Sequence, residues 1–310
     1  MMTKTNDKVN LLDVVRRLAN KEDFNVRQKQ TNDRALTKFK EMGMSNAGAF
    51  NFELRSVLPN NENLVGTQSM GIYGRNAESE VLDKVLFFDN LQNNAKLPFI
   101  DFRGVEWCDD MPVRDDNELI NTKLTPHRLA TSVTISREYL NNVEQYNDML
   151  LQMLVNAVYG KLVQSMFSAS VGTSTSPRGL FGDLEQKSVA TLADLQDLQY
   201  EGDRQMTNNI WIVSPKAKRA INRMAATPLI SNGELLNNPA ICSSKAQDGI
   251  IGYIPLEYVA VGQWACGSIT IDHVSRAKEG EIIIYIDTYF DFANLNPNFV
   301  KVGMITENNG

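Results

Sequence analysis

The chain has 310 residues, 43% hydrophobic and 22% charged, and 31 Lys and Arg against 37 Asp and Glu give a formal net charge of −6. This length supports one large domain or a few modest ones with ample core, and the composition is that of a globular protein. No apolar run reaches the ~20 residues of a bilayer span, and the first residues lead into a charged segment instead of a signal core, which predicts a cytosolic protein with no membrane partner.

Two histidines, His127 and His273, and three cysteines, Cys108, Cys242 and Cys266, leave little for chemistry that relies on these side chains. The cysteines form no CxxC pair and have no histidine nearby, so no disulfide framework, zinc site or cofactor is expected. Charge is uneven along the chain. Residues 1–45 carry ten basic and six acidic side chains, +4, and the remainder carries 21 against 31, −10. The signs alternate within the basic segment, so a solvated helical surface is the favoured reading over nucleic-acid contact.

That segment predicts two short helices. Asn10 caps the first, Asp13 lies in its first turn, and Leu11, Leu12, Val14, Val15 and Leu18 form its apolar face. The second spans Gln30 to Met42 and stops at Gly43. From Ser45 to Asn63 the Asn, Ser, Gly and Ala content and Pro59 predict a linker or arm. Helical spacing then returns over Glu78 to Leu91.

Leu97 to Trp107 reads as a strand, Cys108 to Asn117 as a polar tip, and Glu118 to Ile135 as its return arm, where Leu129, Thr131, Val133 and Ile135 alternate. Such a hairpin has few core-facing positions and is expected to be covered by another subunit. Its candidate inter-subunit contacts are Arg103, Trp107, Asp109, Asp110, Arg114, Asp115, Asp116 and Arg128. A helix from Leu140 to about Ser170 follows, about 45 Å long at ~1.5 Å per residue. Gly172 to Gly179 is expected to be a surface turn. It follows a helix and lacks the Gly-Lys-Ser/Thr ending, which argues against a phosphate-binding loop.

The C-terminal half alternates. Ala190 to Gln199 predicts a helix, Asn209 to Val213 a buried strand, and Ser214-Pro215 an N-cap and first-turn proline opening a helix over Lys216 to Ala226. Thr227 to Gly249 is loop-like. Strands are expected at Ile250 to Ile254, Leu256 to Val261, Ser268 to Ile271 and Glu281 to Tyr289, then a polar connection and a last strand within Asp291 to Gly303.

This α+β order resembles the major capsid proteins of tailed bacteriophages, the Hong Kong ninety-seven fold. The resemblance is carried by Ala130-Thr-Ser-Val-Thr-Ile-Ser-Arg-Glu-Tyr-Leu140, the long helix after it, Val171-Gly-Thr-Ser-Thr-Ser-Pro-Arg-Gly-Leu-Phe181, Trp211-Ile-Val-Ser-Pro215, Gly252-Tyr-Ile-Pro255 and Gly262-Gln-Trp264, and covers residues 50–305. It implies a helical, scaffold-like and cleavable segment over 1–45, an N-terminal arm leading into the body over 46–95, and an extended E-loop over 96–137. A P domain with its spine helix would span 138–204, an A domain 205–273, and the return strands of the P domain with the C-terminus 274–310.

The resemblance implies a structural, non-enzymatic protein that assembles with itself into hexamers and pentamers of an icosahedral virion head around double-stranded DNA, in the cytoplasm of a bacterial host. Ser231, Asn232, Gly233, Glu234, Asn237 and Asn238 would form the loop at the capsomer axis. Portal, scaffold, maturation protease and decoration proteins are the further partners, and DNA contact would be weak and nonspecific. Some members join an E-loop lysine to an asparagine of another subunit. Here Arg114 stands where the amine is needed, with Lys123 the nearest lysine and Asn294, Asn296 and Asn298 the asparagines available on paper, so no crosslink is expected. Two alternatives are a nanocompartment shell of the same fold and a cytosolic α+β enzyme using the aspartates of the tip. The spacing of those aspartates fits no standard metal loop, and no metal is expected there.

Overall fold

The computed structural model describes residues 9, 11–41, 48–52, 81–91, 94–101, 118–138, 146–206 and 208–305. Two sheets organise them. The first is built on two 14-residue strands, β12 (Val259–Asp272) and β13 (Glu281–Asn294), which pair antiparallel with a bulge between Trp264 and Gly267. β5 (His127–Ser136) extends this sheet on the β13 side. Two short strands share the opposite edge of β12: β1 (Phe50–Phe52), antiparallel, and β2 (Leu86–Leu91), parallel. Strand alternation gives the sheet two different faces. Ile282, Ile284, Ile286, Phe290 and Phe292 point into the main core, where helix α3 (Tyr146–Met166) supplies Val158, Leu162, Val163 and Met166.

The second sheet has seven strands in the order β6-β14-β11-β7-β10-β9-β8. These are β6 (Gln186–Val189), β7 (Ile210–Val213), β8 (Ile230–Ser231), β9 (Glu234–Leu235), β10 (Asn238–Cys242), β11 (Ile250–Ile254) and β14 (Lys301–Ile305). Helices α4 (Leu192–Asp203) and α5 (Pro215–Ile221) give Leu195, Leu198, Ala217 and Ile221 to the core it shares with Trp211 and Tyr253.

α5 begins where the sequence places it. The Ser214 hydroxyl accepts the Ala217 N–H at 3.2 Å, and Pro215 occupies the first turn, where its missing N–H is not needed. α4 starts two residues later than expected, at a capping box in which Asp194 accepts the N–H groups of Ala190 (2.9 Å) and Thr191 (2.8 Å). Those bonds hold the Asp194 carboxyl below its ordinary pKa. A depressed folded pKa means that the contribution is complete above the unfolded value and is lost as pH falls through the folded one. Acid titration is therefore expected to fray the first turn of α4 before its middle, read as faster amide exchange at residues 192–195. Asp194→Asn should flatten that dependence, and a first turn whose protection ignores pH would contradict it.

Several expectations are corrected. Glu78 to Leu91 is not one helix: residues 81 and 82 are helical, but after a turn at 83–84 the chain enters β2, because the backbone of Leu86, Phe87 and Phe88 pairs with Ala260, Val261 and Gly262. The return arm Glu118 to Ile135 is two strands in two sheets, β4 (Glu118–Leu124) and β5, divided at Thr125-Pro126. The region Thr227 to Gly249 is not a plain loop but holds β8, β9 and β10, with β10 parallel to β7. Leu256 to Val261 opens with a 3-10 turn, Leu256–Tyr258, before β12 begins, and Ser268 to Ile271 is the continuation of β12. α3 ends at Met166, short of Ser170. The Leu180 N–H donates to the Met166 carbonyl at 2.9 Å and the Ser168 hydroxyl donates to the Ser165 carbonyl at 2.8 Å, which closes the last turn. The expected helix start at Leu140 and the expected cap Asn10 lie outside the described residues.

The tract after α3 is more than a surface turn. Residues 172–176 are mostly exposed, but Leu180 and Phe181 return to the core, with the Phe181 ring stacked on Phe167 at 6.0 Å. The N-terminal helices α1 (Leu11–Asn20) and α2 (Val26–Glu41) also dock on the body: Val14, Val15, Ala35 and Phe39 are all at or below 1% exposure. α2 starts four residues earlier than its charge pattern indicates, at a reciprocal pair in which the Asn25 and Gln28 side chains accept each other's backbone N–H at 2.9 Å.

Candidate assembly surfaces

The hairpin of β3 (Ala95–Asp101) and β4 is a sheet of its own, paired from Ala95↔Leu124 to Asp101↔Glu118. Its alternation decides what each face does. Lys96, Pro98, Asn121 and Lys123 are exposed, and the side chains that turn inward are Ala95, Leu97 and Phe99, with Leu124 fully buried. The inward side chains join Trp264, Ala260, Tyr289 and Leu295 in one apolar cluster. Phe99 meets Tyr258 (5.6 Å) and Phe299 (6.0 Å) edge-on, and those two rings meet each other at 5.3 Å. The described part of the hairpin thus has a core-facing side on its own body, which corrects the expectation that it must find one elsewhere.

The elbow at Thr125-Pro126 is held from β13. Asp291 accepts the Thr125 N–H at 2.7 Å and the Phe292 N–H at 2.8 Å. Burial pushes its pKa above the ordinary carboxylate value, against the opposing pull of those N–H groups and of His127. His127 itself stands 3.2 Å from the Thr125 hydroxyl. None of these elbow residues stands out in the sequence. The available signal is Pro126, which interrupts the alternation of the return arm.

Of the eight predicted inter-subunit residues, Arg128 alone is described. It pairs within its own chain, donating from Nε to Asp287 at 3.3 Å, and its side chain stays 57% exposed. Asp287 is buried and also accepts the Ser268 hydroxyl at 2.5 Å. Arg128→Ala leaves this carboxylate with one fewer partner, and a loss of about 1 kcal/mol is expected in denaturant titration. An unchanged midpoint would show the pair to be idle. Arg103, Trp107, Asp109, Asp110, Arg114, Asp115 and Asp116 lie outside the described residues.

The predicted axis loop is a small meander. Asn232 (φ 52°) and Gly233 (φ 80°) turn β8 into β9, and Leu236 (φ 50°) and Asn237 (φ 65°) turn β9 into β10. Two residues with positive φ in succession are what a tight hairpin turn with matching twist requires. Ser231, Asn232, Gly233, Glu234 and Asn237 lie on its open side, with Asn238 half-buried behind them. The meander is tied down by the Ala240 N–H to the Gly233 carbonyl at 2.7 Å and by the Gln199 amide to the Leu236 carbonyl at 3.3 Å. It presents an exposed polar tip at the edge of the second sheet.

For the crosslink, Asn294 donates to the Leu180 carbonyl at 2.9 Å, and the buried Asn296 accepts the Asn298 N–H at 3.1 Å, so each is held by backbone of its own chain through one atom of its side-chain amide. Among the described residues no group of three or more His, Cys, Asp or Glu could hold a metal ion, and no described helix is long and apolar enough to cross a membrane.

No curated protein matches the chain. Solved structures share the fold at low identity. The capsid of an empty GTA particle aligns at TM-score 0.58 and 13% identity, over 80% of this chain and 96% of that one. The satellite phage P4 procapsid aligns at 0.55 and 11%, over 74% and 96%. Gordonia phage Cozz aligns at 0.52 and 13%, over 79% and 92%. The phage capsid family matches residues 67–305. With the family's model matched over most of its length and the fold shared with those shells, the chain belongs to the phage capsid family and is a structural protein of the virion capsid.

Proposed function

We propose that the chain self-assembles into hexamers and pentamers of an icosahedral head that encloses double-stranded DNA, in the cytoplasm of a bacterial host. The carrying observation is the separate hairpin: it pairs with no other described strand, and only its inner face is seated on the body. Residues 96–137 correspond in this reading to an E-loop rooted in its own body by β5 and by the inner face of the hairpin, with the outer face laid against the neighbouring subunit, 138–204 and 274–310 to a P domain, and 205–273 to an A domain whose Ser231–Asn238 tip meets its copies at the capsomer axis. Residues 46–95 form the arm leading into the body.

Arg103 and Arg114 are the basic side chains offered to acidic neighbours, together with Trp107, Asp109, Asp110, Asp115 and Asp116, while Arg128 offers only the exposed part of a guanidinium already paired with Asp287. Each exposed ion pair is weak, and strength comes from repetition around closed symmetric rings. A body carrying −10 outside residues 1–45 suits a container that does not grip its polyanionic contents. Portal, scaffold, maturation protease and decoration proteins complete the partner set. Sedimentation velocity at rising protein concentration, with negative-stain images of each fraction, tests the proposal. Discrete rings and closed shells are expected, and a monomer at every concentration would overturn it.

A further inference from the structure

The N-terminal segment and the hairpin lie far apart in sequence and meet in one apolar cluster. Phe39 of α2 is 1% exposed and sets its ring edge-on to Tyr289 at 6.2 Å. The same cluster receives Leu124, Leu97, Phe99 and Ala95 from the hairpin, with Trp264 and Ala260 from β12. α2 is itself fixed in place. Asn32 Oδ1 accepts both the backbone N–H (2.8 Å) and the side-chain amide (3.1 Å) of Asn51 in the edge strand β1, and buried Gln28 donates to Asp13 of α1 at 2.8 Å. In the other cluster, α1 gives Val14 and Val15 to the main core, and Phe24 meets Phe50 edge-on at 5.1 Å. The segment thus grips the β1 edge through two separate cores.

We propose that α2 is a seat for the hairpin. Residues 9–41 are then a permanent part of the subunit instead of a detachable scaffold, and Phe39 is the positioning residue through which they hold the hairpin base against the body. A two-stranded hairpin is marginal alone, and among the described residues β3 and β4 pair only with each other. Their order therefore rests on the cluster at the base and on the Thr125 N–H held by Asp291. Displacing Phe39 removes one wall of that cluster, and local opening follows where packing is thinnest. The coupling lies within one chain. Its use, a hairpin posed for a neighbour only while α2 is docked, rests on the shell reading.

Hydrogen–deuterium exchange on the full-length, dissociated subunit tests the coupling without assembly. In Phe39→Ala, amides of residues 95–101 and 118–124 are expected to exchange about tenfold faster, with a smaller rise in Phe39→Leu. Val14→Ala, in the same segment but in the other core, should loosen α1 and leave the hairpin rates unchanged. Hairpin amides at the wild-type rate in Phe39→Ala, beside faster exchange in α2, would overturn the proposal. If Phe39→Ala also accelerates the central strand β11, the Leu variant decides, and wild-type hairpin rates there would overturn it equally. Shells that fail to form while the exchange coupling holds would sink the assembly reading and leave the coupling standing.

Discussion

Trp264→Ala is expected to lower unfolding stability by about 3–5 kcal/mol, the usual cost of deleting a fully buried large aromatic and leaving a cavity. Trp264 is 0% exposed and pairs across the sheet with Tyr289, just before the β12 bulge. Its ring also lines the space over Gly262, where an added Cβ would lie 3.4 Å from the indole and 2.7 and 3.0 Å from Leu91 and Leu124. One substitution thus withdraws support from β2, β4 and the sheet together. Native stability totals only ~5–15 kcal/mol, so the variant should be recovered mostly unfolded or aggregated at elevated temperature. Trp264→Phe should restore part of the loss. Guanidinium titration is the measurement, and a loss under about 1 kcal/mol would show that the cluster is not the keystone of the hairpin base.

The second large effect is expected at Gly179→Ala. A Cβ there would overlap the carbonyl oxygen and the hydroxyl of Ser168, and the first of these obstacles is backbone that cannot swing aside. The same turn holds the Gly179 N–H to the Ser170 carbonyl and the Leu180 N–H to the Met166 carbonyl, both at 2.9 Å. Overpacking of this kind costs about 3 kcal/mol, the upper end of its range, because relief requires breaking those bonds and withdrawing Leu180 and Phe181 from the core. Gly280→Ala is the contrast: its φ is +71° with nothing within 4 Å, so only the left-handed backbone penalty of about 1 kcal/mol applies. Equal losses in the two variants, measured by thermal unfolding, would refute the steric argument.

Features written in local chemistry were legible in the sequence. Ser214-Pro215 opens α5, the apolar strands β7 and β11 stand where their side chains place them, and the alternation over Leu129 to Ile135 is a strand with that face inward. Features that depend on a distant partner were not. Val81, Leu82, Val85, Leu86 and Phe88 have helical spacing, yet Leu86 onward is a strand because the edge of β12 takes its backbone. Asn232-Gly233 carries a hairpin-turn signature, but strands of two residues leave no period to detect on either side of it. α2 looks too polar to dock, and it docks through three buried side chains, Gln28, Ala35 and Phe39. The hairpin seat was hidden for the same reason: Leu124, Asp291 and Phe39 belong to separate stretches, and no spacing joins them.

In the function proposed, this capsid protein closes its shell by laying the hairpin of each subunit on the next. Cryo-electron microscopy of assembled particles, resolved well enough to trace residues 96–124, tests that most directly. Each hairpin is expected to keep its inner face on its own body and to lay its outer face against the adjacent subunit of the same ring, with the Ser231–Asn238 tips gathered at the ring axis. Hairpins that touch only their own chain, in a shell sealed by other surfaces, would contradict it.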